Sequence, residues 1–123
     1  MEIIANYING ELCPPSQGAY LDNVEPATGK IYGRIPRSTG EDLAQAVAAA
    51  EQARHAWANT SAEKRSAILM RLADAVEAQS DALARAEAID NGKTIKFAKA
   101  VDSYRSAANL RFFANACTQW ASE

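Results

Sequence analysis

The chain has 123 residues, enough for one domain with a modest core and too few for two. Hydrophobic residues make up 48% and charged residues 23%, and the net charge is −2 with Lys and Arg interspersed among Asp and Glu; neither a basic face for nucleic acid nor an attraction to an anionic membrane follows. Met1–Asn6 lacks the basic and apolar regions of a secretory signal, no stretch approaches the roughly 18 consecutive apolar residues of a membrane span, and the expected location is the cytosol.

Composition changes near residue 38, from Gly, Pro, Asn and β-branched residues to Ala-rich sequence. In Tyr7-Ile8-Asn9-Gly10-Glu11-Leu12 an Asn-Gly pair stands between short apolar flanks, which predicts a hairpin on a type I′ turn. Pro26-Ala27-Thr28-Gly29 is a second turn. It leads into Lys30–Ile35, where Ile31 and Ile35 share one face and Tyr32 and Arg34 the other, as in a half-buried strand ended by Pro36.

Ser38-Thr39-Gly40-Glu41 reads as a capping box opening a helix to about Ala58, with Leu43, Val47, Ala50 and Trp57 as its buried stripe. Thr60-Ser61-Ala62-Glu63 is a second box, before a helix carrying Ile68, Leu69, Leu72 and Val76 on one face. Ser80 is placed to cap a third helix, from Asp81 to about Ile89, and Asn91-Gly92 supplies the left-handed residue that ends it. A fourth helix from Thr94 to about Trp120 sets Val101, Tyr104, Ala108 and Phe112 on one side. Alanine dominates the apolar residues and large side chains are few, so the helices read as built to cover something larger.

The chemistry-bearing residues are sparse. Cys13 falls beside Pro14-Pro15 on an expected loop and Cys117 in a helix, with no Cys-x-x-Cys and no His in register; the only histidine, His55, sits among Ala, Arg and Trp. Reduced thiols, and neither a metal site nor a Cys-His device, are expected.

Several of these blocks resemble the aldehyde dehydrogenase family. Tyr7–Glu11 followed by Glu25-Pro26-Ala27-Thr28-Gly29-Lys30 is similar to the family's opening, and Ser61–Leu69 with Leu72-Ala73-Asp74 to its first long helix pair. Glu87-Ala88-Ile89-Asp90-Asn91-Gly92-Lys93 is the most specific block, and Arg111-Phe112-Phe113-Ala114 resembles the segment after it. Glu25 stands where Asn is usual, and Thr94 where Pro is common.

The resemblance implies an α+β fragment, two short β elements then four helices, of an α/β Rossmann-type fold. Residues 1–37 would be its β-hairpin and strand region and 38–123 the helical part of the coenzyme-binding domain, with catalytic and oligomerisation parts downstream of residue 123. It implies NAD- or NADP-dependent oxidation of an aldehyde to the acid through a Cys thiolate, an oxyanion hole and a Glu that activates water. None of those roles falls on this chain, Cys13 and Cys117 included; it has no Gly-x-Gly-x-x-Gly. At full length a homo-oligomer is implied.

Asp102-Ser103-Tyr104-Arg105 with Asn109-Leu110-Arg111-Phe112-Phe113 resembles the branch acting on 2-hydroxymuconic and 2-aminomuconic semialdehydes, where the arginine in the place of Arg105 receives a substrate carboxylate. The plainer reading is a solvated arginine on an amphipathic helix. Val24 and Asp90 match positions that hold a structural alkali cation in many members, oxygen ligands suiting hard cations; Asp90 as a helix or turn cap is the alternative. Arg111 is expected in a structural ion pair, and Phe112 and Phe113 in the core or in a tunnel wall. A non-catalytic helical interaction fragment is the competing functional reading.

Overall fold

The structure, a computed structural model, describes residues 2–120 and divides into two compact units, Met1–Asn59 and Thr60–Glu123. The composition change near residue 38 does not coincide with that division, because the first helix is tied to the strands before it.

In the first unit, β2 (Asn6–Ile8) and β3 (Glu11–Cys13) form the expected hairpin, pairing Tyr7 with Leu12 and Ile8 with Glu11. Asn9 and Gly10 turn it with φ of 54° and 84°, both left-handed, which is what a type I′ turn demands. Cys13 closes β3, where the sequence had suggested a loop.

The expected strand is β5 (Lys30–Pro36), at the centre of a sheet in the order β1-β5-β4. It pairs in parallel with β1 (Glu2–Ile3) and antiparallel with β4 (Tyr20–Glu25). Adjacent polar residues Asp22 and Asn23 break the apolar alternation of β4, so it reads weakly as a strand in isolation. Between Asn23↔Gly33 and Val24↔Ile31 the register slips, leaving Tyr32 as the extra residue of a bulge; its hydroxyl accepts from Asn23 Nδ2 at 2.7 Å.

Helix α1 (Gly40–Ala58) begins one residue later than the sequence suggested. Thr39 is the N-cap and Asp42 the box partner, its carboxylate accepting from the Thr39 amide at 2.7 Å. Ser38 instead donates to Asn6 Oδ1 at 3.0 Å. Asp42 also accepts from the Ser16 amide at 2.7 Å and the Ser16 hydroxyl at 3.1 Å, pinning the Pro14–Gly18 loop to the start of the helix. The stripe expected to be buried is not: Leu43, Val47 and Trp57 are exposed, and Ala46, Ala49, Ala50 and Ala53 line the shallow groove against Tyr7–Gly10.

The second unit is helical: α2 (Ala62–Ala78), α3 (Ser80–Asn91), then a run from Ile95 to Gln119 made of α4 (Ile95–Phe97), a π-helical turn (Ala98–Ser103) and α5 (Tyr104–Gln119). The four expected helices are present if that run counts as one. Ser61 caps α2, accepting from the Lys64 amide at 3.3 Å, again one residue later than expected. Ser80 does not cap α3: it is the first helical residue, and its hydroxyl accepts from Ser103 Oγ at 2.8 Å. Gly92 ends α3 at φ 79°, left-handed as predicted.

Helices α2 and α5 run in opposite senses, Ala62 meeting Cys117 while Asp74 and Glu77 meet Arg111. Ala73 and Ala114 are wholly buried and Ala107 nearly so. No large side chain among the described residues is fully buried; the core here is alanine, and Leu72, Tyr104 and Phe112 point outward instead of forming the predicted stripes. In the run, the buried positions are Ala98, Ser103, Ala107 and Ala114. The first two are five apart, one more than an α-helix allows on a face, and the π turn brings them into line.

An alanine seam has no spare volume. Ala114→Leu should therefore overpack α2 against α5 and cost about 1–3 kcal/mol, read as a lowered denaturation midpoint; an unchanged midpoint would mean a looser seam. Asp42 has its pKa lowered from the ordinary 3.8, first by the Thr39 amide and then by the Ser16 amide. A depressed folded-state pKa gives stability that is complete above the unfolded value and lost as pH falls through the folded one. Asp42→Asn should accordingly flatten the acid limb below about pH 4 in a pH series of melting curves.

Candidate functional site

Several charged residues gather where α3 hands over to the last helical run. Gly92 reverses the chain, and Lys93 follows in the connection, its amide donating to Asn91 Oδ1 at 3.0 Å. Thr94 caps the new helix, accepting from the Phe97 amide at 3.3 Å. This local order fixes where Lys93 reaches. Its ammonium lies 3.0 Å from Glu87 Oε1 on α3 and 2.8 Å from Asp102 Oδ2 in the π turn, with the Phe97 ring centroid at 6.0 Å. Asp102, and secondarily Glu87, raise the Lys93 pKa above 10.5, so the cation persists through the neutral range.

Two further ties fasten the π turn along α3: the Ser103–Ser80 hydroxyl pair and an ion pair between Lys99 and Asp81, whose pKa is lowered chiefly by that lysine. At the far end Arg111 bridges Asp74 at 2.7 Å and Glu77 at 2.6 Å, the structural ion pair expected of it. A groove of about 550 Å³ opens between Glu77, Ser80, Lys99 and Tyr104, and both cations on its edge, Lys99 and Arg111, are already engaged by carboxylates.

Arg105 stands apart from this arrangement. It is the second residue of α5, exposed, and makes no hydrogen bond or ion pair with the described residues. At 3.6 residues per turn, Arg105, Asn109 and Phe112 lie on the side of α5 away from Ala107 and Ala114. Phe112 and Phe113 meet edge to face at 5.2 Å and are both exposed, which sets aside their expected place in a core. One helix thus has a packed face and a face carrying a cation beside an amide and an aromatic ring.

The remaining sequence-level candidates fall on both units. Val24 is an exposed residue of β4 beside the Tyr32 bulge, in the first unit, and Asp90 is the penultimate residue of α3, in the second. Among the described residues no group of three or more His, Cys, Asp or Glu could hold a metal ion. Both cysteines are free: Cys13 Sγ donates to Asn6 O at 3.8 Å, and Cys117 Sγ to Ala114 O at 3.2 Å and Ala62 O at 3.5 Å. His55 is exposed on α1 beside Arg54. No helix is long and apolar enough to cross a membrane among those residues.

The Glu87–Lys93–Asp102 cluster was not anticipated. Glu87 and Lys93 both belong to the block singled out as specific, yet separations of six and nine residues across a chain reversal match no helical period.

The family model for the aldehyde dehydrogenase family matches residues 13–123. The chain is 40% identical over 121 residues to 2-aminomuconic semialdehyde dehydrogenase of Mus musculus, covering 98% of this chain and 24% of that protein. It is 44% identical over 109 residues to acetaldehyde dehydrogenase 2 of Cupriavidus necator, covering 89% and 22%. Among solved structures, the NAD+ complex of an aldehyde dehydrogenase from Bacillus cereus matches with a TM-score of 0.95 at 31% identity, over 99% of this chain and 25% of that one. The chain therefore spans about a quarter of the length of the curated relatives it matches. With the family model matched from Cys13 onward and the backbone of a solved member followed at a TM-score of 0.95, the chain belongs to the aldehyde dehydrogenase family.

Proposed function

We propose that this chain forms the amino-terminal part of an NAD(P)-dependent enzyme that oxidises a carboxylated semialdehyde, of the 2-aminomuconic or 2-hydroxymuconic type, to the carboxylic acid. The observation that carries this reading is Arg105. A guanidinium uncommitted to any described acid, set beside Asn109 and Phe112 on the outward side of α5, is suited to a planar carboxylate, which it grips through two parallel hydrogen bonds. Relatives named 2-aminomuconic semialdehyde dehydrogenase from Mus musculus, Bos taurus and Danio rerio, at 40–42% identity, favour the same substrate class.

The segment's part in the reaction is recognition and scaffolding. It contains no Gly-x-Gly-x-x-Gly turn, so none of its residues is assigned to the coenzyme and no chemical step is drawn through that group. Cys117 spends its thiol on two backbone carbonyls, which is the behaviour of a structural cysteine. Two free thiols fit a reducing, cytosolic setting, and the outward Leu43, Val47, Phe112 and Phe113 fit a homo-oligomeric enzyme in which more chain covers them. A non-catalytic interaction fragment is not favoured by a family match running from Cys13 onward.

In the intact enzyme carrying this segment, Arg105→Met should raise KM for a carboxylated semialdehyde about 10- to 100-fold while leaving a neutral aldehyde within about two-fold, as expected when one charge-assisted contact is removed. Steady-state kinetics on the two substrates decide the matter. Equal effects on both would overturn the carboxylate role.

A further inference from the structure

Asp102 precedes Arg105 by three residues on the same helical run, a spacing at which an acid and a base on a helix are neighbours and ordinarily pair. Here they do not. The Asp102 carboxylate is 2.8 Å from Lys93 Nζ, on the α3 side of the π turn, and Arg105 is left without an acidic partner among the described residues. Lys93 is itself held to α3 by Glu87 at 3.0 Å and stacked near the Phe97 ring, so it is anchored from two sides before it reaches Asp102. The π turn adds to this: its extra residue swings Asp102 and Ser103 toward α3, where the Ser103–Ser80 and Lys99–Asp81 ties keep it.

We infer that Lys93 is a positioning residue for substrate recognition: by holding Asp102 against α3 it withholds the neighbouring acid that would otherwise neutralise Arg105, and so keeps that guanidinium open to an incoming carboxylate. The inference rests on the carboxylate reading of Arg105. It assigns Lys93 no contact with substrate. Its effect is electrostatic and is exerted through the choice of partner for Asp102, since a cation already satisfied by an internal acid gains little from a second anion and must first break the pair.

The test is made in the intact enzyme with four variants, each assayed on a carboxylated semialdehyde and on a neutral aldehyde. Lys93→Met should release Asp102 to Arg105 and raise KM for the carboxylated substrate roughly ten-fold, with kcat and the neutral substrate unchanged, a size in line with the misplacement of a positioning group. Lys93→Gln, which keeps a hydrogen-bond donor but not the charge, should behave alike and serves if the methionine variant folds poorly. The double variant Lys93→Met/Asp102→Asn removes the released acid and should return KM to within about two-fold of the parent, a coupling that a purely structural role does not produce. A rise in KM that persists in the double variant overturns the inference in favour of lost packing. No rise on Lys93→Met or Lys93→Gln, with Arg105→Met still selective, overturns it while leaving the carboxylate reading intact. An unselective Arg105→Met overturns both.

Discussion

The closeness of α2 and α5 governs the second unit. With Ala73 on one helix and Ala107 and Ala114 on the other buried, small side chains let the two helices pack closely. Such a seam excludes larger side chains, so Leu72, Tyr104 and Phe112 are turned out of it. It also buries little apolar area per residue, which leaves polar ties to fix the register. Arg111 gripping Asp74 and Glu77 does so near the end of α2, and the Cys117 thiol reaching the Ala62 carbonyl does so at its start. The π turn is the adjustment that lets one continuous run satisfy this seam and, through Ala98 and Ser103, the surface of α3.

The first unit solves the same shortage of large buried groups with a carboxylate. Asp42 is almost fully buried, and every hydrogen bond described for it comes from Ser16 or Thr39, so one side chain closes a loop, starts a helix and joins them. Pro15 and Gly33 are the other buried positions there among the described residues, neither carrying a bulky side chain.

The turns and helix ends were legible because single residues dictate them: Asn9-Gly10 and Gly92 take backbone angles that few others tolerate. The caps were legible to within one residue. Ser38-Thr39 and Thr60-Ser61 each offer two hydroxyls of equal capping quality, and only the fold, which engages Ser38 with Asn6, distinguishes the first pair. Strand β4 was hidden by Asp22-Asn23, since its partner β5 and not its own alternation makes it a strand. The buried helical faces escape a periodicity drawn through large apolar residues, because the residues buried on them are Asp42, Ser103 and a set of alanines, with a five-residue step from Ala98 to Ser103. Of the proposed site, Arg105 is reachable through family resemblance alone, and Lys93 with Asp102 requires the chain reversal to be built.

Helix α5 keeps its packed residues and its outward ones on opposite sides, Ala107 and Ala114 inward and Arg105, Asn109 and Phe112 outward. An exchange of outward residues leaves the seam's volume untouched, so under the proposed role of Arg105 a change of substrate preference by point substitution would cost the fold little stability. The outward face of the helix is in that sense free to vary while the scaffold beneath stays the same.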